Sequence, residues 1–318
     1  MIMPSTPTEN DIRRAHERIL PHIHNTPVLT SQFINELTGA HLFFKCENFQ
    51  KTGSFKMRGA SNAIFSLKLD ERLNGFATHS SGNHAQAVAY ACKTAGVNAY
   101  IVMPKNAPKV KIDAVKNYGG NIVFCEPNET ARQEACAKII QETNAVFIPP
   151  FDDLAVIAGQ ASCAKELIET HADLDYLLTP VGGGGLAAGT ALSVKYFSPK
   201  TEIILGEPKS VNDTYLSLKA GKIIPVSQTH TMADGLKTTV GKLNFEIIQN
   251  HVKEVITVSE DEISHAMRMI WERLKIIIEP SCAVPFAALL VRKALFKNKK
   301  VGVILTGGNV DLGNLPFV

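Results

Sequence analysis

Residues 175–197 read DYLLTPVGGGGLAAGTALSVKYF: an apolar strand pattern, four consecutive glycines, then a helical pattern rich in alanine and leucine. Four glycines between a strand and a helix let backbone N–H groups converge on an anion at the positive helix end. A plain flexible turn is the other reading of the same residues. Outward from this unit the alternation recurs: NAYIVMP precedes PKVKIDAVKNYGG, NIVFCEP precedes NETARQEACAKIIQET, and TEIILGEP precedes VNDTYLSLKAG. Strand followed by helix, repeated in this way, predicts an α/β protein whose parallel strands carry crossover helices on both faces of a sheet.

With 318 residues, 45% apolar and 20% charged, the chain is long enough to bury a large core and suggests about two domains. Its 33 basic and 30 acidic residues are interspersed, for a formal charge of +3, so no single-sign block offers a footing to nucleic acid or to a membrane. A small molecule is the expected partner. The opening MIMPSTPTEN has no basic region followed by an apolar run, and no stretch reaches the roughly 18 apolar residues of a membrane span. A cytoplasmic protein is therefore expected. Six scattered cysteines (Cys46, Cys92, Cys125, Cys136, Cys163, Cys282) form no C-x-x-C pair and read as structural thiols. Thr8 with Asp11 resembles a capping box, and Glu260 to Lys275 carries Ile263, Met267, Ile270 and Leu274 at helical spacing. No Pro- or Ser-rich linker divides the chain, but Pro149-Pro150 closes a run of strand–helix units. Residues 76–150 are read as a smaller lobe inserted into a larger one built from 1–75 and 151–318.

QKTGSFKMRGA (50–60) places Lys56 just after a Gly-Ser turn, at the start of a helical run. Alone, such a lysine reads as a solvated charge; beside a phosphate cradle it gains another meaning. Neither a G-x-x-x-x-G-K-[ST] loop nor a G-x-G-x-x-G fingerprint at a first strand is present, which argues against a mononucleotide or NAD as owner of the phosphate. A lysine and a phosphate cup suit pyridoxal phosphate, which needs an amine for its Schiff base and an anchor to fix its ring.

QKTGSFKMRGA, SSGNHAQA (80–87), AVIAGQ (155–160), PVGGGGLAAG (180–189) and LTGGNVDL (305–312) together resemble the fold type II pyridoxal phosphate enzymes, in the branch of serine/threonine dehydratases and serine racemases. The resemblance covers nearly the whole chain in the family's order. It implies a two-lobed, tryptophan synthase beta-like α/β fold, a homodimer, and a small lobe that closes over the substrate. It further implies that Lys56 forms the Schiff base, Phe55 packs against the cofactor ring and Asn83 contacts its 3'-oxygen. Gly182, Gly183, Gly184, Gly185 and Leu186 would hold the phosphate, and Gly235, beside Asp234, and Glu279 would line the cleft, with turn and core-packing roles as their alternatives. Thr306 aligns with the residue that faces the pyridine nitrogen. A neutral hydroxyl there makes a weaker electron sink than aspartate would, which suits elimination and racemisation better than amino transfer.

By the same resemblance, Ser80, Ser81, Gly82, Asn83 and His84 would meet the substrate carboxylate at a helix N-terminus, with His84 orienting the loop. Dehydratases are expected to read S-A-G-N-H here, whereas serine racemases resemble this chain in carrying S-S-G-N-H. Racemisation needs acid/base groups on opposite faces of Cα. Lys56 covers one face and Ser81 is placed to cover the other; carboxylate binding or helix capping is the alternative role for Ser81. The same proton removal can expel the β-hydroxyl, giving pyruvate from serine or 2-oxobutanoate from threonine, with ammonia. The expectation is a serine racemase with dehydratase activity, the alternative a threonine or 3-hydroxyaspartate dehydratase with little racemisation. Phe151 favours the alternative, because an aromatic here is more like the dehydratases, where animal serine racemases carry Asn.

In GEPKSVND (206–213), Glu207, the Val211 carbonyl and Asp213 offer hard oxygen ligands suited to Mg²⁺, Ca²⁺ or Mn²⁺, though a solvated turn fits the same residues. The resemblance to the racemases' divalent-cation loop favours a structural or activating metal. HNTPVLTS (24–31) with Lys51 and Thr52 resembles segments near the ATP effector site of eukaryotic racemases; Asn25 and Thr26 read equally as turn residues before Pro27. With LTGGNVDL so near Val318, no C-terminal regulatory domain is expected.

Overall fold

Among the described residues the alternating runs form ten strands: β1 (Val28–Leu29), β2 (His41–Cys46), β3 (Phe76–His79), β4 (Ala99–Pro104), β5 (Asn121–Cys125), β6 (Val146–Phe147), β7 (Tyr176–Pro180), β8 (Glu202–Pro208), β9 (Glu254–Val258) and β10 (Lys300–Leu305). They are seen in a computed structural model that describes residues 6–227 and 230–317. One sheet has the order β1-β2-β10-β7-β8-β9 and the other β5-β4-β3-β6. Every strand pairing is parallel except β1 with β2.

Successive strand residues face opposite sides of a sheet, and here both sides are covered by helices. Leu178 joins a core with Phe44, Met267 and Phe286, while its neighbour Leu177 joins a second core with Ala188, Leu205 and Ile247. This is why β7 is apolar throughout instead of alternating. In the four-stranded sheet Phe76 and Ala77 divide between two cores in the same way. The Phe76 core also takes in Ile19, Met57 and Ile64, so the Lys56–Phe65 helix packs on the four-stranded side. Thr8 caps the Glu9–Ile19 helix reciprocally with Asp11, and the Glu260–Leu274 helix buries Ile263, Met267 and Ile270. All six cysteines are free and buried. Among the described residues no helix is long and apolar enough to cross a membrane.

Parallel sheets present their binding loops at the carboxyl ends of the strands, where neighbouring connections diverge. β7 runs into Gly182–Gly185, its neighbour β10 into Thr306, and β3 into Ser80–Asn83. The Lys51–Phe55 segment is stitched to the end of β10. Phe55 N–H donates to Thr306 O at 3.0 Å, Gly308 N–H to Gly53 O at 2.9 Å, and Ser54 bridges Gly307. The stitch requires left-handed backbone at Gly53 (φ 72) and, against the preference of a β-branched residue, at Thr52 (φ 62).

Two residues beyond Lys56, Arg58 is fully buried between two carboxylates. Its Nε and Nη2 donate to Glu47 at 2.7 and 2.8 Å, and its Nη1 and Nη2 to Glu166 at 2.7 Å each. Lys45 Nζ donates to Glu166 Oε2 and to Thr26 O, both at 2.7 Å. Two cations thus meet two carboxylates with almost no water, holding β2, the Lys56–Phe65 helix and the Leu154–Thr170 helix together. The neighbouring His16, Arg58 and Lys45 hold the Glu166 carboxyl well below the usual range despite its burial.

Removing one partner from such a network leaves an uncompensated buried charge. Glu166→Gln should therefore cost about 3 kcal/mol of stability, read as a lower urea midpoint at unchanged slope. Because the Glu166 pKa is depressed in the folded state, the wild-type advantage is complete above the ordinary glutamate range and fades as pH falls below it. Equal midpoints for the two proteins at neutral pH would refute this role.

Candidate active site

Lys56 opens its helix on the floor of the cleft between the sheets. Its Nζ donates to Pro150 O at 2.7 Å and lies 5.2 Å from the centroid of the Phe55 ring. Burial pushes the amine down to about 8, and Glu279 opposes part of that shift. Glu279, beside the end of β10, is itself pushed up to about 7, mainly by burial. Its carboxylate accepts both contacts of Asn83 Nδ2, at 2.8 and 3.1 Å, while Asn83 Oδ1 accepts from Asn309 at 2.9 Å. The loop after β3 is thereby tied to the floor built by the other sheet.

The Asn83–Ala95 helix begins at Gly82 with no side-chain cap, so its first N–H groups stay available to an anion. Ser80 Oγ accepts from Gly82 N–H at 3.3 Å, and Ser81 does not cap the helix. Ser80, Ser81, Gly82 and Asn83 are all partly exposed on this rim. His84 lies beneath them, buried. Its Nε2 lies 3.1 Å from Ile148 O, a carbonyl that can only accept, so Nε2 carries the proton. Burial, reinforced by the Lys56 charge, lowers its pKa to about 3. The imidazole is therefore neutral near neutral pH, and its hydrogen bond to Ile148 holds the ring in place.

The glycine loop is a cradle that side chains would fill. A Cβ at Gly182 would stand 2.8 Å from Leu236 Cα, one at Gly183 2.3 Å from the Phe151 ring, and one at Gly184 2.8 Å from Asn244 Cβ; Gly184 also has φ +91. Asn244 Nδ2 donates to Gly183 O at 2.7 Å and to Phe151 O at 3.2 Å, fixing the loop. The Gly185–Phe197 helix follows, and Leu186 lies in its first turn, where N–H groups have no intrahelical acceptor. These residues fit a phosphate by shape and by donor chemistry. Gly235 N–H donates to Ser281 Oγ at 3.0 Å beside the cradle, and Thr306 is buried at the end of β10.

The loop after β8 reaches the cradle through Val240, whose side chain would lie 3.1 Å from a Cβ on Gly184. Glu207 accepts N–H bonds from Thr214 and Tyr215, both at 2.9 Å, and Asp213 Oδ2 accepts from Val240 N–H at 2.9 Å. Asp213 Oδ1 is buried without a partner, and Val211 is buried between the two acids in sequence. Burial raises Glu207 to about 8 and Asp213 to about 6, the nearby Asp213 charge adding to the Glu207 shift. Two buried carboxylates with an unpaired oxygen fit a hard cation, although no cluster of three or more His, Cys, Asp or Glu residues forms among the described residues. In the 24–31 segment Thr26 is committed to Glu47 at 2.5 Å. Thr52 keeps a buried hydroxyl without a partner.

Several contributors escaped the sequence reading. Asn244 and Ser281 hold the loops from distant helices, and Asp152 accepts N–H bonds from Lys242, Leu243 and Asn244 at 3.1, 3.0 and 3.3 Å. Asp152 follows Phe151 directly, and an acid after a Pro-Pro pair was the only local sign of it.

The description "pyridoxal-phosphate dependent enzyme" belongs to the family model that matches residues 19–307. The chain is 50% identical to a β-hydroxyaspartate dehydratase from Paracoccus denitrificans (strain Pd 1222), over 98% of this chain and 99% of that one. It is also 50% identical to a serine racemase from Dictyostelium discoideum, over 99% and 98% respectively, and superposes on the crystal structure of serine racemase from that organism with a TM-score of 0.93, covering 97% of this chain and 100% of the other. The structure of the processed form of threonine deaminase isoform 2 from Solanum lycopersicum matches with a TM-score of 0.90 at 32% identity, over 98% and 93%.

Only an unprotonated amine can bond an aldehyde. Uptake of pyridoxal phosphate by the cofactor-free protein, followed by visible absorption, should therefore accelerate as pH rises through about 8. In Glu279→Gln the midpoint should fall further, because the carboxylate that favours the ammonium is gone. A midpoint in the ordinary lysine range would refute the burial argument.

Proposed function

Because the chain belongs to the pyridoxal-phosphate dependent enzyme family, we propose that it interconverts L- and D-serine and also deaminates serine, with threonine as a further candidate substrate, by β-elimination. The observation that carries this reading is the pairing of floor and rim: Lys56 on the floor and, in SSGNH, a rim Ser81 hydroxyl not used to cap the following helix. When bound, pyridoxal phosphate supplies the electron sink that makes a Cα proton removable. Lys56 holds and returns that proton on one face and Ser81 on the other. The uncapped N–H groups after Gly82 and the Ser80 hydroxyl bind the α-carboxylate, and neutral His84 keeps the loop in place. Gly182–Gly185 and Leu186 hold the phosphate, Phe55, Asn83, Gly235, Glu279 and Thr306 surround the ring, and the 76–150 lobe closes over the substrate.

A second reading, a 3-hydroxyaspartate or threonine dehydratase with little racemisation, is favoured by Phe151, whose ring lies flush against Gly183, and by the 50% identity to the Paracoccus dehydratase. Both readings share every residue except the demand on Ser81.

The finer features of the reading rest on separate observations. Glu207, the Val211 carbonyl and Asp213 bind Mg²⁺ or a similar cation as a structural or activating ion, supported by the unpaired Asp213 oxygen. The protein is a cytoplasmic homodimer, its pairing supported by half-exposed Phe33, Leu37, Phe49 and Ile277 on adjoining segments. ATP acts as an effector beside Lys51 and Thr52, supported by the strained, unpartnered Thr52.

Incubation with L-serine, Mg²⁺ and pyridoxal phosphate should yield D-serine and pyruvate in one time course; pyruvate alone would establish the second reading. Ser81→Ala should suppress D-serine formation far more than pyruvate release, and equal loss of both would remove the two-face mechanism. Glu207→Ala should blunt the activation by added Mg²⁺, whereas an unchanged titration would dismiss that site.

A further inference from the structure

Among the described residues a single ion pair joins the 76–150 segment to the rest of the chain. Lys111 Nζ, from the Lys109–Asn117 helix, lies 3.2 Å from Asp234 Oδ2. Asp234 is already paired at 2.7 Å with Lys237, three residues along its own turn. Two ammonium groups therefore share one carboxylate, leaving the cluster one positive charge in excess.

The location of that excess matters. The residue after Asp234 is Gly235, whose N–H is held by Ser281 and whose carbonyl would lie 3.1 Å from a Cβ on Gly182. The cluster therefore sits on the rim of the glycine cradle. Lys111 and Asp234 both act electrostatically on Glu279 at the cleft floor, in opposite directions. The side chains of Lys111 and Asp234 are 30% and 62% exposed, so their attraction is partly screened and readily exchanged. Of the two lysines, Lys111 makes the longer bond and comes from the other side of the cleft, which makes it the one free to change partners.

We propose that Lys111 is a specificity residue that receives the second carboxylate of a dicarboxylic β-hydroxy amino acid, taking it in place of Asp234. This rests on the reading that the cleft deaminates β-hydroxy amino acids. In that reaction 3-hydroxyaspartate loses its Cα proton and β-hydroxyl and regains water, ending as oxaloacetate and ammonia. Lys111 contributes charge and exchanges no proton. Serine carries no side-chain anion, so it leaves the Lys111–Asp234 pair intact and uses only the α-carboxylate contacts at residues 80–84.

The test compares kcat/KM for 3-hydroxyaspartate and L-serine in the pyridoxal phosphate-loaded enzyme, read as oxaloacetate and pyruvate. Lys111→Gln should lower the value for 3-hydroxyaspartate about 10-fold, mainly through KM, and leave serine within about 2-fold, the size expected of one partly shielded charge-assisted bond. Lys111→Arg should restore most of the loss. Equal losses on both substrates would make Lys111 a mere tie between the two sheets and overturn the proposal, as would no loss on either. A wild-type enzyme that deaminates serine but not 3-hydroxyaspartate overturns the proposal and leaves the functional reading standing; one that deaminates neither overturns both.

Discussion

Everything in the cleft depends on a buried charge balance. Arg58, with no contact with water, is clamped by Glu47 and Glu166, and Lys45 supplies the second positive charge. Buried ion networks of this kind are costly to desolvate, so they repay their cost only when every hydrogen bond is made in one geometry. Here that geometry fixes the helix whose first residue is Lys56. The stitch from Gly53 and Phe55 to the end of β10 fixes the same helix from its other side. Lys56 is thus held by backbone and charge on both flanks, and its amine can be buried without wandering.

Burial then sets the electrostatics of the floor. Lys56 is lowered, Glu279 is raised, and His84 is kept neutral, each chiefly by desolvation and only secondarily by neighbouring charges. Near neutrality the Lys56 amine is still largely protonated and Glu279 part-ionised, so their opposite charges partly offset one another beside a neutral His84, while the rim carries the Lys111–Asp234–Lys237 cluster and the uncapped helix start.

The strand–glycine–helix unit, the Thr8–Asp11 cap and the Lys56 motif were legible in the sequence because each signal is local, completed within one or two turns of chain. Glu207 and Asp213 were legible as a pair, but their burial was not, since it depends on Val240 and on the helix that follows. The Arg58 network was not legible at all: Arg58, Glu47 and Glu166 lie on three separate elements, and each reads alone as a surface charge. Asn244, Ser281 and Lys111 escaped for the same reason, being brought to the cleft by packing between sheets. The Phe76 core likewise gathers Ile19 and Met57, which no composition shift along the chain announces.

Phe151 and Gly183 have a consequence for how such sequences can change. The aromatic ring occupies the space that any side chain at 183 would need, and the three nearest atoms to a Cβ there all belong to it. The two positions are therefore epistatic, so the effect of one substitution depends on the other. A smaller residue at 151 could be accepted first, opening room above the glycine, and only afterwards could 183 accept a methyl group. The reverse order passes through a clash with the ring, so the path between an aromatic-bearing cleft and one without it has a direction.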